Sequence, residues 1–406
     1  MKFCAVICEY NPFHNGHKYQ LDEIREKSGC DKILCVMSGN FTQRGEAAVF
    51  DKYTRARHAV ENGADAVIEL PAAFAVAPAE IFAEGAVRLI SSVPAVSALA
   101  FGCESGTAQS FLAAANATRS EDKQLKAAIK ENMKDGTSYV RARTQAVLKF
   151  NADIDEALLT SPNNILGVEY CRALLNAGGK IAPFPIPRVG GGYADGELKP
   201  DFSSATALRA AMHEEKMPVR ALKRNLPESV LNDVLNFTPF PYGKVALSAL
   251  VTAKNEEIAE TADCSEGLEN RLKALTRSNP EYAEMLKKAT TKRYTLSRLK
   301  RILAQNLLGL KLKEVKEFLS ASLYLKTLAI EKSDAEDILA ELAKSSFPVI
   351  TRKSDAIALK KSALTCFEKD VRGVDLYNVL TGSTTNEYET LFVTRTETKK
   401  KKEKKK

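Results

Sequence analysis

Two histidines three residues apart stand where the first apolar run of the sequence ends. The run finishes near Cys8, a polar turn follows, and His14-Asn15-Gly16-His17 then opens a helical pattern. Side chains three apart in a helix project to similar sides, and a helix N-terminus offers free N–H groups and a positive dipole end. Gly16 leaves the backbone bare for close approach by a ligand. The segment therefore predicts a phosphate-binding site whose imidazoles stabilise charge that develops when a nucleotide is cleaved.

The pattern H-x-G-H is short, and two surface histidines on a turn are the alternative interpretation. Its position favours the nucleotide site, because ligands of open parallel sheets bind beyond the carboxyl ends of the strands. A second candidate is the string S-A-T-A-L-R at residues 204–209. There Ser204 or Thr206 can cap a helix while Arg209 grips phosphate oxygens. A simple capped helix with its arginine in solvent is the alternative.

The elements that must position these residues alternate along the first half of the chain. The strands are continuously apolar, as expected when helices cover both faces of a sheet. Strand–helix alternation of this kind predicts an α/β fold with a Rossmann-like parallel sheet. We predict strands at 3–8, 32–37, 66–70, 97–102 and 180–188, and helices at 17–27, 51–62, 79–91, 105–118 and 163–177.

The length of 406 residues predicts two or three domains. We place a nucleotide-binding domain at 1–215, with a helical insertion at about 122–158. Beyond Met217-Pro218 the sequence becomes rich in Leu, Lys and Glu with helical periodicity, which predicts a mainly α-helical domain at 216–398. A mixed segment lies at 347–393. The last eight residues, 399–406, contain seven Lys and one Glu, which predicts a disordered tail.

The formal charge of +8 predicts an anionic partner, but the tail alone supplies +6 of it. The informative stretch is 287–313, which has nine basic residues and no acidic one. Such segregation is typical of an RNA-binding surface, and a solvated helix face is the alternative. The charge pattern alone leaves both interpretations open.

Several longer strings together resemble one family. They are E-Y-N-P-F-H-N-G-H at 9–17, M-S-G-N-F-T-Q-R-G-E at 37–46, D-K at 51–52, G-A-D-A-V-I-E-L-P at 63–71, S-P-N-N-I-L-G at 161–167 and T-K-R-Y-T at 291–295. This combination is similar to the tRNA(Met) cytidine acetate ligases, within the HxGH nucleotidylyltransferase superfamily. The resemblance covers nearly the full chain except the lysine tail. The string at 204–209 resembles a second signature of this superfamily, roughly I-S-S-T-x-I-R at a helix start. It departs from that signature at Ala205, where a second hydroxyl is usual.

The resemblance implies roles for particular residues. His14, His17 and Arg209 are the predicted catalytic groups. ATP is predicted to be held by Ile7, Cys8, Glu9, Tyr10, Asn11, Pro12, Phe13, His14, Asn15, Gly16, His17, Lys18, Tyr19, Gln20, Gly102, Asn163, Arg188, Ser204 and Thr206. Predicted RNA contacts are Lys292, Arg293, Tyr294, Arg298, Lys300 and Arg301, with the tyrosine stacking on a base.

The implied reaction has two steps. Acetate attacks the α-phosphate of ATP to give acetyl-adenylate and pyrophosphate, and the wobble cytidine of elongator tRNA(Met) then accepts the acetyl group to form N4-acetylcytidine. Magnesium bound to the phosphates is expected, although no protein ligand is identifiable. One alternative is a nucleotidylyltransferase that adenylylates a phosphorylated metabolite. Another is a tRNA-binding protein without activity.

Other features carry weaker expectations. Arg44, Lys52 and Arg55 can approach phosphate or RNA, although Asp51 before them also fits a helix cap. His58, inside that helical pattern, is predicted to be structural. No apolar run approaches the roughly 18 residues of a membrane span, and the apolar N-terminus is too short for a signal peptide. We therefore expect a cytoplasmic protein with reduced cysteines.

Overall fold

The computed structural model describes residues 1–119, 123–134, 136–137, 139–189, 197–265 and 267–395. The predicted disordered tail at 399–406 lies outside these residues. The strands are β1 (Phe3–Cys8), β2 (Lys32–Ser38), β3 (Ala66–Leu70), β4 (Val96–Cys103), β5 (Ala182–Pro187), β6 (Leu325–Glu331), β7 (Val349–Ile350) and β8 (Leu391–Val393).

Helices connect and cover the strands. The helices of the first half are α1 (Asn15–Lys27), α2 (Lys52–Glu61), α3 (Ala72–Ala75), α4 (Ala79–Ser91), α5 (Ala108–Arg119), α6 (Lys123–Asn132), α7 (Tyr139–Phe150), α8 (Ala157–Thr160), α9 (Pro162–Asn176) and α10 (Ala205–Met212). Those of the second half are α11 (Val219–Asn225), α12 (Glu228–Leu235), α13 (Tyr242–Thr252), α14 (Asn255–Ala259), α15 (Leu268–Ser278), α16 (Tyr282–Ala289), α17 (Leu296–Leu308), α18 (Leu312–Phe318), α19 (Ala335–Leu342), α20 (Lys353–Ile357) and α21 (Lys361–Thr381).

The strands form one sheet in the order β5-β4-β1-β2-β3-β6-β7, with β8 also paired to β6. The five strands of the first half are mutually parallel, and β6 joins β3 antiparallel. Both β7 and β8 run parallel to β6. The predicted α/β fold with a mainly parallel sheet is confirmed.

Successive residues of β1 enter opposite cores, because side chains alternate across a strand. Phe3 and Ala5 pack into one cluster with the residues of α4, whereas Cys4 and Val6 pack into the other with those of α1 and α2. All four side chains are buried. Helices on both faces therefore explain why the strands of the first half are continuously apolar.

The five strands predicted for the first half are all present, and β1 and β3 have the predicted bounds. The predicted insertion at 122–158 contains α6 and α7, which pack against each other. Helices α11 to α18 occupy 219–318, as the composition of that region predicts. Strand β6 was not predicted, and it places part of the second half in the sheet of the first half. The domain division at about residue 216 stays a prediction.

A buried charged cluster fastens the C-terminal segment to the sheet. The Nζ atom of Lys52 lies 2.6 Å from a carboxylate oxygen of Glu69 on β3 and 2.5 Å from one of Glu387. Lys326 on β6 donates from Nζ to the carbonyl oxygens of Thr327 and Glu389, each at 2.5 Å. The cluster joins residues more than 300 positions apart in the sequence.

Two basic residues expected near phosphate or RNA are instead inside the protein. Lys52 and Arg55 are both fully buried. The Arg55 guanidinium donates to the carbonyl oxygens of Glu9 at 2.6 Å and Ser38 at 3.0 Å, and its Nε donates to that of Phe50 at 3.0 Å. The expectation that they approach a ligand is therefore wrong, because strand-end carbonyls and acids distant in sequence occupy their polar atoms.

Candidate functional site

The loop between β1 and α1 forms one wall of a cleft and is held by a second loop, residues 39–51. A carboxylate oxygen of Glu9 accepts from the backbone N–H of Gln43 at 2.7 Å, and the side-chain oxygen of Asn11 accepts from that of Val49 at 2.9 Å. Tyr10 between them is buried and has a φ of 49°. The two loops therefore position each other at the carboxyl end of β1.

His14 and His17 are packed as a pair at the start of α1. His14 caps the helix, and its Nδ1 accepts from the N–H of Gly16 at 3.0 Å. The two imidazole rings stack, with centroids 3.7 Å apart and an interplanar angle of 22°. A Cβ atom at residue 16 would lie 2.9 Å from Cε1 of His14. Glycine is therefore needed there for this ring position, in addition to the role predicted from the sequence.

Both imidazoles are held neutral at physiological pH. Burial, with Arg188 and Arg209 nearby, lowers the pKa of His14 to about 3. Burial, with His14 and Arg188, also lowers the pKa of His17 well below its ordinary value. Burial removes water that would solvate the charged ring, and the positive arginines repel the added proton.

The hydrogen bonds of the pair determine what it can offer a ligand. Because Nδ1 of His14 accepts a hydrogen bond from the backbone, its neutral ring carries the hydrogen on Nε2 and can donate from there. Nδ1 of His17 is buried and has no hydrogen-bond partner among the described residues. A buried polar atom without a partner is costly, and a ligand in the cleft can supply the missing bond.

The start of α10 brings the second predicted group to the same cleft. Ser204 caps the helix, accepting from the N–H of Ala207 at 3.1 Å. Arg209 donates to the carbonyl oxygen of Asn11 at 2.7 Å and lies 3.4 Å from the hydroxyl of Thr206. Arg44 donates to that hydroxyl at 2.9 Å. Two guanidinium groups therefore meet at Thr206.

Strand ends supply the remaining predicted groups. Gly102 lies in β4, and Arg188 follows β5, where its backbone N–H donates to the carbonyl oxygen of Cys103 at 2.9 Å. The Arg188 side chain is exposed and makes no hydrogen bond to any described residue. Asn163 starts α9, and its amide donates to Glu104 at 2.6 Å. These groups border the cleft from the β4–β5 side.

The cleft gathers most of the predicted residues. Its lining includes the predicted residues Ile7, Cys8, Glu9, Tyr10, Asn11, His14, His17, Gln20, Gly102, Asn163, Arg188, Ser204 and Arg209. It encloses about 170 Å³, less than the roughly 300 Å³ of the smallest typical ligand pockets. A nucleoside triphosphate in the cleft would therefore extend through its open mouth.

Some predicted residues do not line this cleft. Phe13 is in the core, Asn15 donates to the carbonyl oxygen of Arg224, and Lys18 is paired with Asp22. Pro12 is buried, Thr206 lines an adjoining cavity, and Gly16 and Tyr19 line a small pocket on the other side of the histidines. A contiguous string of residues cannot all face one ligand, because side chains of a loop and a helix point to different sides.

Sequence reasoning missed several lining residues. They are Gln43, Phe82, Phe101, Leu166, Tyr170 and Ala205. The aromatic and aliphatic members read as core residues in the sequence, and they do pack in part against the core. The string containing Gln43 was the available signal, since it belongs to the motif at 37–46. Arg44 also lines the cleft, as weakly expected. His58 is buried with Nε2 2.6 Å from Asp233, which agrees with a structural role.

The six predicted RNA contacts differ in exposure and in their contacts with acidic residues. Lys292 and Arg293 are exposed, and Tyr294 is half-buried. Arg298 donates to the Ser265 hydroxyl at 2.7 Å. Lys300 pairs with Glu46, and Arg301 lies 2.6 Å from Asp263. The guanidinium groups of Arg293 and Arg298 lie 5.9 and 5.7 Å from the ring centroid of Tyr294. Acids that are distant in sequence therefore neutralise part of the basic stretch.

The cleft contains few groups that bind metals. Among the described residues, no group of three or more His, Cys, Asp or Glu side chains could hold a metal ion. Glu9 is the carboxylate in the lining. Magnesium usually keeps several waters and binds through one or two carboxylates plus substrate phosphates, so Glu9 fits a metal that arrives with a nucleotide. No helix of the described chain is long and apolar enough to span a membrane.

A histidine pair at a helix start, beyond the carboxyl end of the first parallel strand and opposed by arginines, defines a nucleotidyl transferase site. The chain belongs to the HIGH nucleotidyl transferase family, whose model matches residues 1–390. Within that class, it falls among the tRNA(Met) cytidine acetate ligases, as its motifs predict.

Curated relatives from several bacteria carry that name, among them the following two. The tRNA(Met) cytidine acetate ligase of Thermoanaerobacter sp. (strain X514) is 35% identical over 387 residues, covering 93% of this chain and 95% of the relative. That of Clostridium novyi (strain NT) is 36% identical over 319 residues, covering 76% and 79%. The resemblance predicted from the motifs is thus confirmed.

Solved structures also match the fold of this chain. Thermotoga maritima TmcAL in apo form I superposes with a TM-score of 0.90 at 29% identity, covering 97% of this chain and 100% of that one. The same protein bound with alpha-thio ATP gives a TM-score of 0.87 with the same identity and coverage.

Proposed function

We propose that the protein activates acetate with ATP and transfers the acetyl group to the wobble cytidine of elongator tRNA(Met), forming N4-acetylcytidine. The observation that carries the first step is the neutral histidine pair facing two arginines at the carboxyl ends of β1, β4 and β5. Relatives named tRNA(Met) cytidine acetate ligase support the choice of substrates. The neighbour bound with alpha-thio ATP supports the nucleotide.

In the first step, acetate attacks the α-phosphate of ATP, the bond to the β-phosphate breaks, and pyrophosphate leaves. The charge on the phosphates grows as that bond breaks, so donors placed in advance lower the barrier. The Nε2–H of His14 and the guanidinium groups of Arg188 and Arg209 are such donors. Nδ1 of His17, which has no hydrogen-bond partner in the part of the chain that the structure describes, forms its bond with the nucleotide.

Neutral imidazoles suit the binding of a metal–triphosphate complex. They contribute hydrogen-bond donors without adding two more positive charges beside the arginines. Magnesium bound to the phosphates would neutralise part of their charge, and Glu9 is the lining carboxylate that can hold it. The protein itself orients the phosphates and limits water through the buried loop around Tyr10.

In the second step, the exocyclic amine of cytidine attacks the acetyl carbonyl carbon, the bond to the adenylate oxygen breaks, and AMP leaves. The tRNA is positioned by phosphate contacts from exposed basic residues such as Lys292 and Arg293, because backbone contacts set register without reading bases. The amine loses its proton to water or to a nearby acceptor.

The decisive experiment measures the two half-reactions separately. Exchange of labelled pyrophosphate into ATP should require acetate, and digestion of the tRNA product should yield acetylated cytidine by mass analysis. His17→Ala should lower both activities about 100- to 1000-fold. Lys18→Ala is the matched control, since Lys18 is on the same helix but pairs with Asp22 in solvent, and it should retain activity.

Exchange that depends on a phosphorylated metabolite rather than acetate would replace this proposal with an ordinary nucleotidylyltransferase. Tight tRNA binding without any exchange or acetylated product would indicate a binding protein.

A further inference from the structure

A second cavity adjoins the cleft, and we propose that it receives the acceptor base of the RNA, with His213 bonded to the exocyclic amine of that base. We call it the acceptor chamber; its walls include Ala210, His213, Phe237, Phe240 and Leu296. It encloses about 860 Å³, which lies within the range of ligand pockets, roughly 300 to 1000 Å³. The inference rests on the function proposed above and names the place where its second substrate binds.

The chamber is continuous with the cleft. Gln43, Arg44, Leu166 and Arg209 line both spaces. The two guanidinium groups converge on the Thr206 hydroxyl, at 2.9 Å from Arg44 and 3.4 Å from Arg209. A nucleotide in the cleft and a base in the chamber would therefore both border the same pair of arginines, which makes the two substrates neighbours.

Aromatic rings form one wall of the chamber. Phe237 lies between His213 and Phe240, with ring centroids 5.3 and 6.3 Å away in edge-to-face arrangements. Both phenylalanines are half-buried and His213 is exposed, so ring surface remains for an incoming group. Proteins that read single-stranded RNA stack splayed-out bases on such rings. A flat base is therefore an occupant that this wall fits.

His213 supplies a directional polar contact. Its Nδ1 lies 2.8 Å from the carbonyl oxygen of Arg209, and a carbonyl can only accept, so Nδ1 must carry the proton. With Nδ1 as the donor, Nε2 is the ring nitrogen that can accept, and it has no hydrogen-bond partner among the described residues. Nε2 can accept from an exocyclic amine. Uracil has a carbonyl oxygen at the same position, and a carbonyl oxygen has no hydrogen to donate to Nε2.

The chamber borders the basic stretch. Thr295, Leu296 and Ser297 line the chamber, and they form the start of α17, directly after the exposed Lys292 and Arg293. Lys300 and Arg301 also line the chamber, but their pairing with Glu46 and Asp263 balances their charge. The arrangement suits an RNA whose phosphates stay outside while one base enters.

The first test fills the chamber. Ala210 is exposed on α10 and lines the chamber without lining the cleft, so Ala210→Trp adds bulk where the base would lie. We expect acetate-dependent pyrophosphate exchange within about threefold of the unmodified protein and tRNA acetylation lowered at least about 100-fold. Ala340→Trp, at an exposed position of α19, is the matched control and should change neither. Full acetylation by Ala210→Trp would overturn the proposal.

The second test removes the polar contact and keeps the ring. His213→Phe should lower kcat/KM for tRNA acetylation about tenfold, the cost of one hydrogen bond, while the Kd for tRNA stays within about twofold. His213→Gln, which restores an acceptor, should recover part of the loss. Unchanged kcat/KM in His213→Phe would contradict the role of Nε2.

A third measurement separates this proposal from the function it rests on. A tRNA carrying fluorescent pyrrolocytidine at the acceptor position should change its emission on binding, and Ala210→Trp should abolish that change. The signal needs no acetyl transfer. A protein that lacks acetylation yet gives the signal would retain the chamber and refute the reaction, whereas acetylation without the signal would refute the chamber.

Discussion

The nucleotide cleft and the buried charged cluster are two polar regions of one sheet, and their charges are arranged in opposite ways. In the cluster, Lys52 is flanked by Glu69 and Glu387, both within 2.6 Å. In the cleft, neither the Arg188 side chain nor Nδ1 of His17 has a hydrogen-bond partner among the described residues. A charge that the protein already satisfies stabilises the fold, whereas one left unsatisfied is available to a ligand.

The pKa values differ between the buried charged cluster and the cleft in the same way. Burial alone would lower the pKa of Lys52, but Glu387 and Glu69 raise it above its ordinary value. Burial raises the pKa of Glu387 to about 7, against the opposing effect of Lys52. In the cleft, burial and the neighbouring arginines both lower the pKa of His14. The cluster therefore keeps its lysine charged, and the cleft keeps its histidines neutral.

The largest expected effect comes from breaking the cluster. Lys52→Met leaves two buried carboxylates without their cation, which should lower the free energy of unfolding by about 3–5 kcal/mol. Urea unfolding followed by circular dichroism measures it. Lys18→Met removes an exposed lysine paired with Asp22 and should change stability by no more than about 0.5 kcal/mol. Equal stability of the two variants would mean that the buried pair adds nothing.

The next effect concerns the cleft, where we expect a loss of ATP affinity rather than a loss of stability. Arg188→Met removes an exposed cation that makes no side-chain hydrogen bond to any described residue, so stability should change by no more than about 0.5 kcal/mol. The loss of a charged hydrogen bond to phosphate should weaken ATP binding by about 1.5–3 kcal/mol, measured by calorimetry. Arg352→Met, at an exposed arginine beside Asp355, is the control. Undiminished ATP affinity in Arg188→Met would remove this arginine from the site.

The smallest effect concerns pH. His14 has a folded pKa of about 3, below the ordinary value of about 6.5. The unfolded chain therefore binds the extra proton first, and stability is lost as pH falls below 6.5. At pH 5 the loss amounts to about 2 kcal/mol. His14→Asn, which retains a helix cap, should lose that part of the pH dependence. If the unfolding midpoint of His14→Asn differs between pH 7 and pH 5 by as much as that of the unmodified protein, the prediction is wrong.

The same contrast between the two regions explains which parts of the fold could be predicted from the sequence. Strands β1 to β3 were predictable because burial on both faces makes each a mainly apolar run. Strands β4 and β5 are apolar runs as well, although Ile186 is the one buried residue of the edge strand β5. Strand β6 was not predictable, since its sequence contains Lys326 and Glu331, whose burial depends on partners elsewhere in the chain. The prediction for Lys52 and Arg55 was wrong for the same reason, because in the local sequence they look like surface residues of an exposed helix.

The site was predictable where the pattern itself carries chemistry. His14 and His17 at a strand end, with Arg209 in a second string, come together in the cleft as the motifs indicate. Phe82, Phe101 and the rings of the acceptor chamber carry no such signal, because an apolar residue beside a ligand resembles one in the core. Their role depends on which cavity the folded chain leaves beside them.

The antiparallel pairing of β6 with β3 also determines when the sheet can be completed during synthesis of the chain. Residues 66–68 pair with 327–330, so the ribosome must add about 260 residues after β3 before its neighbour exists. At about 5–20 residues per second this takes about 13–52 seconds. Until then the edge of β3 is open, and an open edge can pair with other chains. The nascent protein therefore passes through a long interval in which its first five strands await the one that covers them.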